Sequence, residues 1–338
     1  MHGKTGSQPG TNSNIMEYIT VGSTGNSTDF GDSSAACTGG FMANSSVRMV
    51  HGLGEAPGNV DTIDYYTIAS PGDASAFGNP TGAPQNPSGT GNATRGVRFG
   101  GVNGGTTYNI IDYITFGSTG DAADFGDLTD QRGYCAGMAN DTRQITSGGL
   151  DPGFSNIIDF VEIATTGNAV DFGNLTSTPA LNTNCASPTR GINCGGTSVS
   201  GGGTNLNIID FIEISSTGNA LDFGDLTAIQ RSQSSFGSNT RMVTAGGQGP
   251  GTTKMEAIQF ASLGNAVDFA DSLSGTTENG RGTSDNKRGV FAKGAVQNVL
   301  ETKNIFNGAA AVDFGDLSVA RTAAHAASNG HGGLKLTS

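Results

Sequence analysis

Positive charge is scarce in this chain: its 338 residues carry 17 Lys and Arg against 29 Asp and Glu, a formal net charge of −12. That argues against nucleic-acid binding, which needs clustered cations to displace counterions from phosphates. Long apolar runs are missing as well. None approaches the roughly 20 residues of a membrane-spanning helix, so no membrane insertion is expected. The segment Met1 to Asn14 is rich in Gly, Ser and Asn and lacks the apolar core of a signal peptide, so a soluble chain that does not use that export route is expected. Cysteine is limited to Cys37, Cys135, Cys185 and Cys194, none in a Cys-x-x-Cys pair, which argues against a zinc site. Cys185 and Cys194 fall where they could face each other across a predicted hairpin; buried free thiols are the preferred expectation. The four histidines, His2, His51, His325 and His331, stand beside no nucleophile-and-acid set in sequence. The inventory for catalysis is therefore thin, and no enzyme activity and no cofactor are expected.

Glycine, by contrast, is abundant at 55 copies. Each Gly in a helix costs about 1 kcal/mol relative to Ala, so the chain is not mostly helix. The composition suits short strands joined by tight turns, or else disorder. Recurring apolar runs such as Ile110 to Ile114 must be buried and exclude disorder.

The phrase Asp-Phe-Gly recurs, as Ala-Phe-Gly in its second copy and Asp-Phe-Ala in its sixth. Its phenylalanines are Phe30, Phe77, Phe125, Phe172, Phe223, Phe269 and Phe314, spaced by 47, 48, 47, 51, 46 and 45 residues. A period of this size marks a propeller or solenoid. The copies lie near 14–58, 59–108, 109–155, 156–206, 207–253, 254–297 and 298–338, so residues 1–338 read as a single domain. Each copy reads as four strands. In the third, Asn109 to Gly117 is strand c, Ala122 to Leu128 strand d, Arg132 to Ala139 strand a of the next blade, and Arg143 to Gly149 strand b. Strand a is small-sided, which suits the crowded propeller axis. The strand d Phe is expected to wedge between blades. The chain starts before a strand c and ends with a strand a (Arg321 to Ala327) and a strand b (Gly333 to Ser338). The expected fold is an all-β, seven-bladed propeller closed by strands from both termini.

These residues resemble the kelch repeat, which has a diglycine ending strand b, an acid and Tyr in strand c, an aromatic in strand d and Arg opening strand a. The diglycine stands at Gly100-Gly101, Gly148-Gly149, Gly195-Gly196 and Gly246-Gly247, and Phe replaces the kelch Trp throughout. The phrasing from Ile110 to Leu128 is similar to repeats in tail-fibre and other virion proteins of marine bacteriophages, especially those of cyanobacteria. This resemblance implies a protein made in the host cytoplasm and carried on the virion. Its role would be a non-enzymatic tail-fibre or attachment component that binds a host surface glycan or another virion protein. Capsid decoration is the first alternative; a glycan-active propeller enzyme or an intracellular kelch-type adaptor follow.

One Arg follows each a–b turn (Arg48, Arg95, Arg143, Arg190, Arg241 and Arg288), with His331 in the seventh place. One acid sits in each strand c: Glu17, Asp64, Asp112, Asp159, Asp210, Glu256 and Glu301. A ring of arginines could bind an anion, but a feature of nearly every blade is explained more economically as structural pairing with carboxylates. No copy has the dense acidic spacing of an EF-hand, which argues against metal.

The a–b and c–d turns, nearly constant between copies, belong to one face. The b–c and d–a loops, where length varies, belong to the other, and loops that diverge on a repeating scaffold are where function is usually placed. Candidate partner contacts there are Glu55, Gln85, Asn86, Tyr108, Gln131, Phe154, Asn205, Gln230, Glu278 and Arg281. Tyr108 and Phe154 stand out, because an aromatic in a Gly-rich loop buries area at little entropic cost.

Overall fold

A computed structural model describes residues 2–5, 11–52, 54–56, 58–151, 153–198, 203–250, 253–273, 280–294 and 297–328. The protein is an all-β propeller of four-stranded antiparallel blades. Strands a, b, c and d of the third blade, Ala136–Ala139, Arg143–Ser147, Ile157–Glu162 and Val170–Asn174, hydrogen-bond in that spatial order. Each blade joins the a and b strands of one sequence copy to the c and d strands of the next. Six sheets contain this arrangement, their a strands starting at Phe41, Ser88, Ala136, Thr183, Ser234 and Arg281. The first Asp-Phe-Gly copy forms a two-stranded sheet of Ser13–Tyr18 and Thr28–Cys37. His2–Thr5 pairs with the end of the long strand Val312–His325. The expected strand b at Gly333 to Ser338 lies outside the described residues.

The Asp-Phe-Gly phrase is a bulge. In the third blade Ile158 pairs with Gly173 and Asp159 with Asp171, so Phe172 is the extra residue with no partner opposite. The same slip recurs at all the other copies, including Met16/Gly31 and Glu17/Asp29 in the two-stranded sheet. A bulge re-aims a side chain out of the pleat, and here it turns the Phe ring edge-on against the aromatic of strand c: Tyr113 and Phe125 are 5.6 Å apart at 89°. The core therefore lies between blades. Val97, Phe99, Ile111, Phe125 and Leu128 of the second blade pack on Ala139, Val161, Ile163 and Ala169 of the third.

The glycine of the phrase makes the seam. Gly126 has φ +143, and a Cβ there would lie 2.5 Å from the backbone of Gly167 in the next blade's c–d turn. Across that contact the Gly167 amide donates to the Phe125 carbonyl at 2.7 Å, the Ala169 amide to the Asp127 carbonyl at 2.8 Å, and the Asp127 amide to Asn168 Oδ1 at 3.1 Å. Equivalent Gly-to-Phe bonds run from Gly72 to Phe30, Gly120 to Phe77, Gly218 to Phe172, Gly264 to Phe223 and Gly25 to Phe314. The last of these joins the sixth blade to the two-stranded sheet, whose Thr28–Cys37 strand in turn meets the first blade through the Gly72 bond. The constancy of the c–d turn follows, because both its Gly and its Asx are bonded to the neighbouring blade. One seam departs. Ala270 replaces the Gly of the phrase, the facing turn reads Asn307-Gly308-Ala309-Ala310, and the Ala311 amide stands 3.4 Å from the Asp271 carbonyl.

Candidate recognition face and central channel

The seven strand c acids are all buried. Each accepts from the residue four positions past the phrase Phe of the preceding repeat copy, the last copy serving the first. Asp159 takes the Thr129 amide at 3.2 Å and its hydroxyl at 2.7 Å, and Asp112 takes both groups of Thr81 at 2.9 Å. Ser34 serves Asp64 and Thr176 serves Asp210, while Thr227, Leu273 and Ser318 donate amides to Glu256, Glu301 and Glu17. Four of the acids also hold a buried cation: Arg98 on Asp112, Arg132 on Asp159, Lys293 on Glu301 and Arg321 on Glu17. Burial alone would raise the Glu17 carboxyl, but the bonds from Ser27 and Ser318 and the charge of Arg321 bring it below its usual value. Among the described residues no Lys or Arg lies on Asp64 or Asp210, and burial pushes both carboxyls up.

The a–b turn arginines do a different job from the expected carboxylate pairing. Each donates through Nη1 to a carbonyl of the neighbouring sheet: Arg48 to Phe116, Arg95 to Ile163, Arg143 to Ile214, Arg190 to Phe260, Arg241 to Ile305 and Arg288 to Val21. Arg48, Arg95, Arg143 and Arg190 also lie 4.4 to 5.0 Å from the ring of the strand c aromatic. Among the described residues only Arg143 and Arg190 add an ion pair, to the half-exposed Glu162 and Glu213. The reason is register. Arg143 sits opposite Glu162 at the end of strand c, whereas the buried Asp159 sits opposite Thr146.

The strand-b diglycine has a steric cause. Gly100, Gly148 and Gly195 have φ between +54 and +64, and a Cβ on each would lie 2.2 to 2.5 Å from the carbonyl of Arg132, Pro179 or Gln230. The four thiols are free, and Cys185 and Cys194 stand opposite Ile192 and Thr183, not each other. Burial pushes Cys37 up to about 11 and Cys185 to about 12.

On the opposite side, three short hairpins rise from the b–c loops, at Glu55–Asn59, Val102–Thr107 and Leu150–Phe154. Tyr108 and Phe154 sit at the bases of two of them and are half-buried; the Tyr108 carbonyl accepts from the Arg132 amide at 3.1 Å. Glu55 lies in the first hairpin. Gln131 is exposed. Asn205 is half-buried and donates to the Gln248 carbonyl at 2.7 Å, and Gln85 bridges Val102. Gln230 needs correcting as a contact residue. It closes the strand Leu221–Gln230 at 1% exposure, and its carbonyl accepts from Gly196, so no partner reaches it. Glu278 lies outside the described residues. Asn86 and Arg281 are not on the loop tips; both line the central channel.

That channel runs between the a strands and has a volume of about 560 Å³. Its rim is the residue two positions before strand a in five of the blades: Gly39, Asn86, Tyr134, Leu181 and Ser232 all have φ between +49 and +67. They are linked around the rim, Asn86 to the Gly39 carbonyl, Tyr134 to that of Asn86 and Ser232 to that of Leu181. A bulky residue in this conformation is an outlier for an L-amino acid, and here the inter-blade bonds hold it. The d–a loops deliver the chain to this rim. Sequence reasoning missed Tyr134, Leu181 and Gln233 because they sit in the repeat, not in a long loop. Alignment of the copies does not single the position out, because the residues on either side, from Thr38 and Gly40 to Arg231 and Gln233, differ between copies as well. Compared with models of known protein families and with curated proteins, the chain matches none.

Proposed function

We propose that the chain is a non-enzymatic bacteriophage virion protein, a tail-fibre or attachment component that binds a host glycan or another virion protein through its d–a and b–c loop face. We infer further that the two-stranded sheet is part of a seventh blade, so that seven kelch-like units close a ring. The bond from Gly25 to Phe314, the Arg321–Glu17 pair and the Arg288–Val21 bond support closure, because each repeats a contact found between other sheets.

The observation that carries the functional reading is the asymmetry of the two faces. The c–d turns and a–b arginines are engaged in the seams, and the repeated acids are buried and bonded to the chain that follows the Asp-Phe-Gly phrase. The side chains that break the repeat gather on the other face, around three hairpins and a channel mouth. A constant scaffold with one divergent face is the pattern of a recognition module. The likeness of the repeat phrase to phage virion proteins sets the biological context. Mass spectrometry of purified particles tests it: peptides of this chain at stoichiometric abundance are expected. Absence from particles, with the protein retained in the host cell, would favour an adaptor instead.

A further inference from the structure

We propose that the central channel is a binding site for an acidic sugar, with the carboxylate on Arg281 and the hydroxyls on side chains of the inner strands. The inference rests on the reading of the loop face as a recognition surface, since the channel opens at the rim where the d–a loops arrive.

Charge is the first observation. The chain has an excess of acids, 29 against 17 cations, yet among the described residues no Asp or Glu lines the channel. Arg281 does line it. It is exposed to the lumen, and among the described residues its only hydrogen bond is from Nη1 to the adjacent Gly280 carbonyl at 3.1 Å. Enclosure by protein lowers its pKa, but a guanidinium stays charged at neutral pH. His325 stands on the neighbouring inner segment and lines the same space. No carboxylate neutralises Arg281 among the described residues.

Polar lining is the second observation. The half-buried Asn86, Asn182, Asn184 and Ser232 line the channel. Amides and a hydroxyl both donate and accept, which matches sugar hydroxyls, whereas a guanidinium fork matches a carboxylate. A volume of about 560 Å³ falls within the range of small-molecule sites.

The test is calorimetric titration of the full chain with digalacturonate and 3′-sialyllactose, with galactobiose and lactose as neutral counterparts and inorganic sulfate as a bare anion. At least one acidic sugar should bind about tenfold or more tightly than its neutral counterpart and than sulfate, because a charge-assisted pair is worth that factor. Arg281→Ala should abolish that preference with an unchanged melting temperature, since the side chain is exposed and bonds only to its neighbour's carbonyl. Weak binding of both acidic sugars, equal binding of acidic and neutral sugars, sulfate binding as tight as the sugars, or a preference that survives Arg281→Ala would each overturn the inference. A chain found in particles that fails this titration loses only the channel site. A chain that passes but is absent from particles loses only the virion reading.

Discussion

Gly126→Ala isolates the seam between the second and third blades. The added methyl would stand 2.5 Å from the carbonyl carbon and oxygen of Gly167 and 2.7 Å from the Asn168 amide, all backbone atoms that cannot swing away. The residue would also be held at φ +143, a conformation costing an L-residue of order 1–3 kcal/mol. Relief by separating the blades would stretch the Gly167-to-Phe125 and Ala169-to-Asp127 bonds, each worth about 1 kcal/mol net. Together these give a destabilisation of about 2–4 kcal/mol, read as a shift of the urea midpoint at constant m. The control is Gly117→Ala, where nothing lies within 4 Å and φ is unrestricted; it should be neutral or slightly stabilising. The chain carries its own comparison at Ala270, where Ala309 and Ala310 stand at the places of the facing turn's Gly and Asx. Ala270→Gly alone should therefore add little. A Gly126→Ala protein within about 0.5 kcal/mol of the parent would refute the claim that the phrase glycine makes the seam.

Arg132→Met should cost about 3–5 kcal/mol, because it strands the fully buried Asp159, whereas Arg143→Ala, whose ion-pair partner Glu162 is half-exposed, should cost about 1 kcal/mol; equal losses in chemical denaturation would contradict this division. Cys37 holds its proton in the native state up to about 11 against an ordinary 9.0. Its contribution is therefore complete below pH 9 and lost as pH rises toward 11; the parent's midpoint should fall more over that window than that of Cys37→Ala, and parallel curves would oppose it. Joint replacement of Tyr108 and Phe154 by Ala should lower particle incorporation or attachment with the melting temperature nearly unchanged, whereas Asn168→Ala should lower the melting temperature, because its Oδ1 accepts the Asp127 amide.

The propeller was legible because the repeat is written in residues the fold needs at fixed places. The Phe spacing marks the bulge, and the diglycine marks a close approach to a carbonyl. The division of labour among charges was not legible. Strand c acids and turn arginines recur together, which suggests pairing, but strand register sets them apart and gives the acids to Arg98, Arg132, Lys293 and Arg321. Arg132 and Arg321 share a place, seven residues past the phrase Phe, but Arg98 lies within strand b and Lys293 just past its end, so alignment of the copies reveals only part of the set. The channel was hidden for the opposite reason. Its lining belongs to the regular inner strands, and only the closeness of those strands brings Asn86, Gln233 and Arg281 to one space. Gln230 looked like a loop residue because a turn was expected after Leu226. Strand d instead continues through Gln230, burying it.

Ring closure is tested most directly by amide hydrogen exchange at Gly25. Its N–H donates to the Phe314 carbonyl at 2.7 Å, as Gly120, Gly167, Gly218 and Gly264 donate to Phe77, Phe125, Phe172 and Phe223 at 2.7 to 2.8 Å. In a closed ring the Gly25 amide is one seam bond among equals, and its protection factor should match those four within about tenfold; deletion of Arg321 to Ser338 should lower all five together. A Gly25 amide that exchanges at the rate of an unstructured turn while the other four stay protected would mean that the first and last sheets do not meet, and would contradict the closed ring.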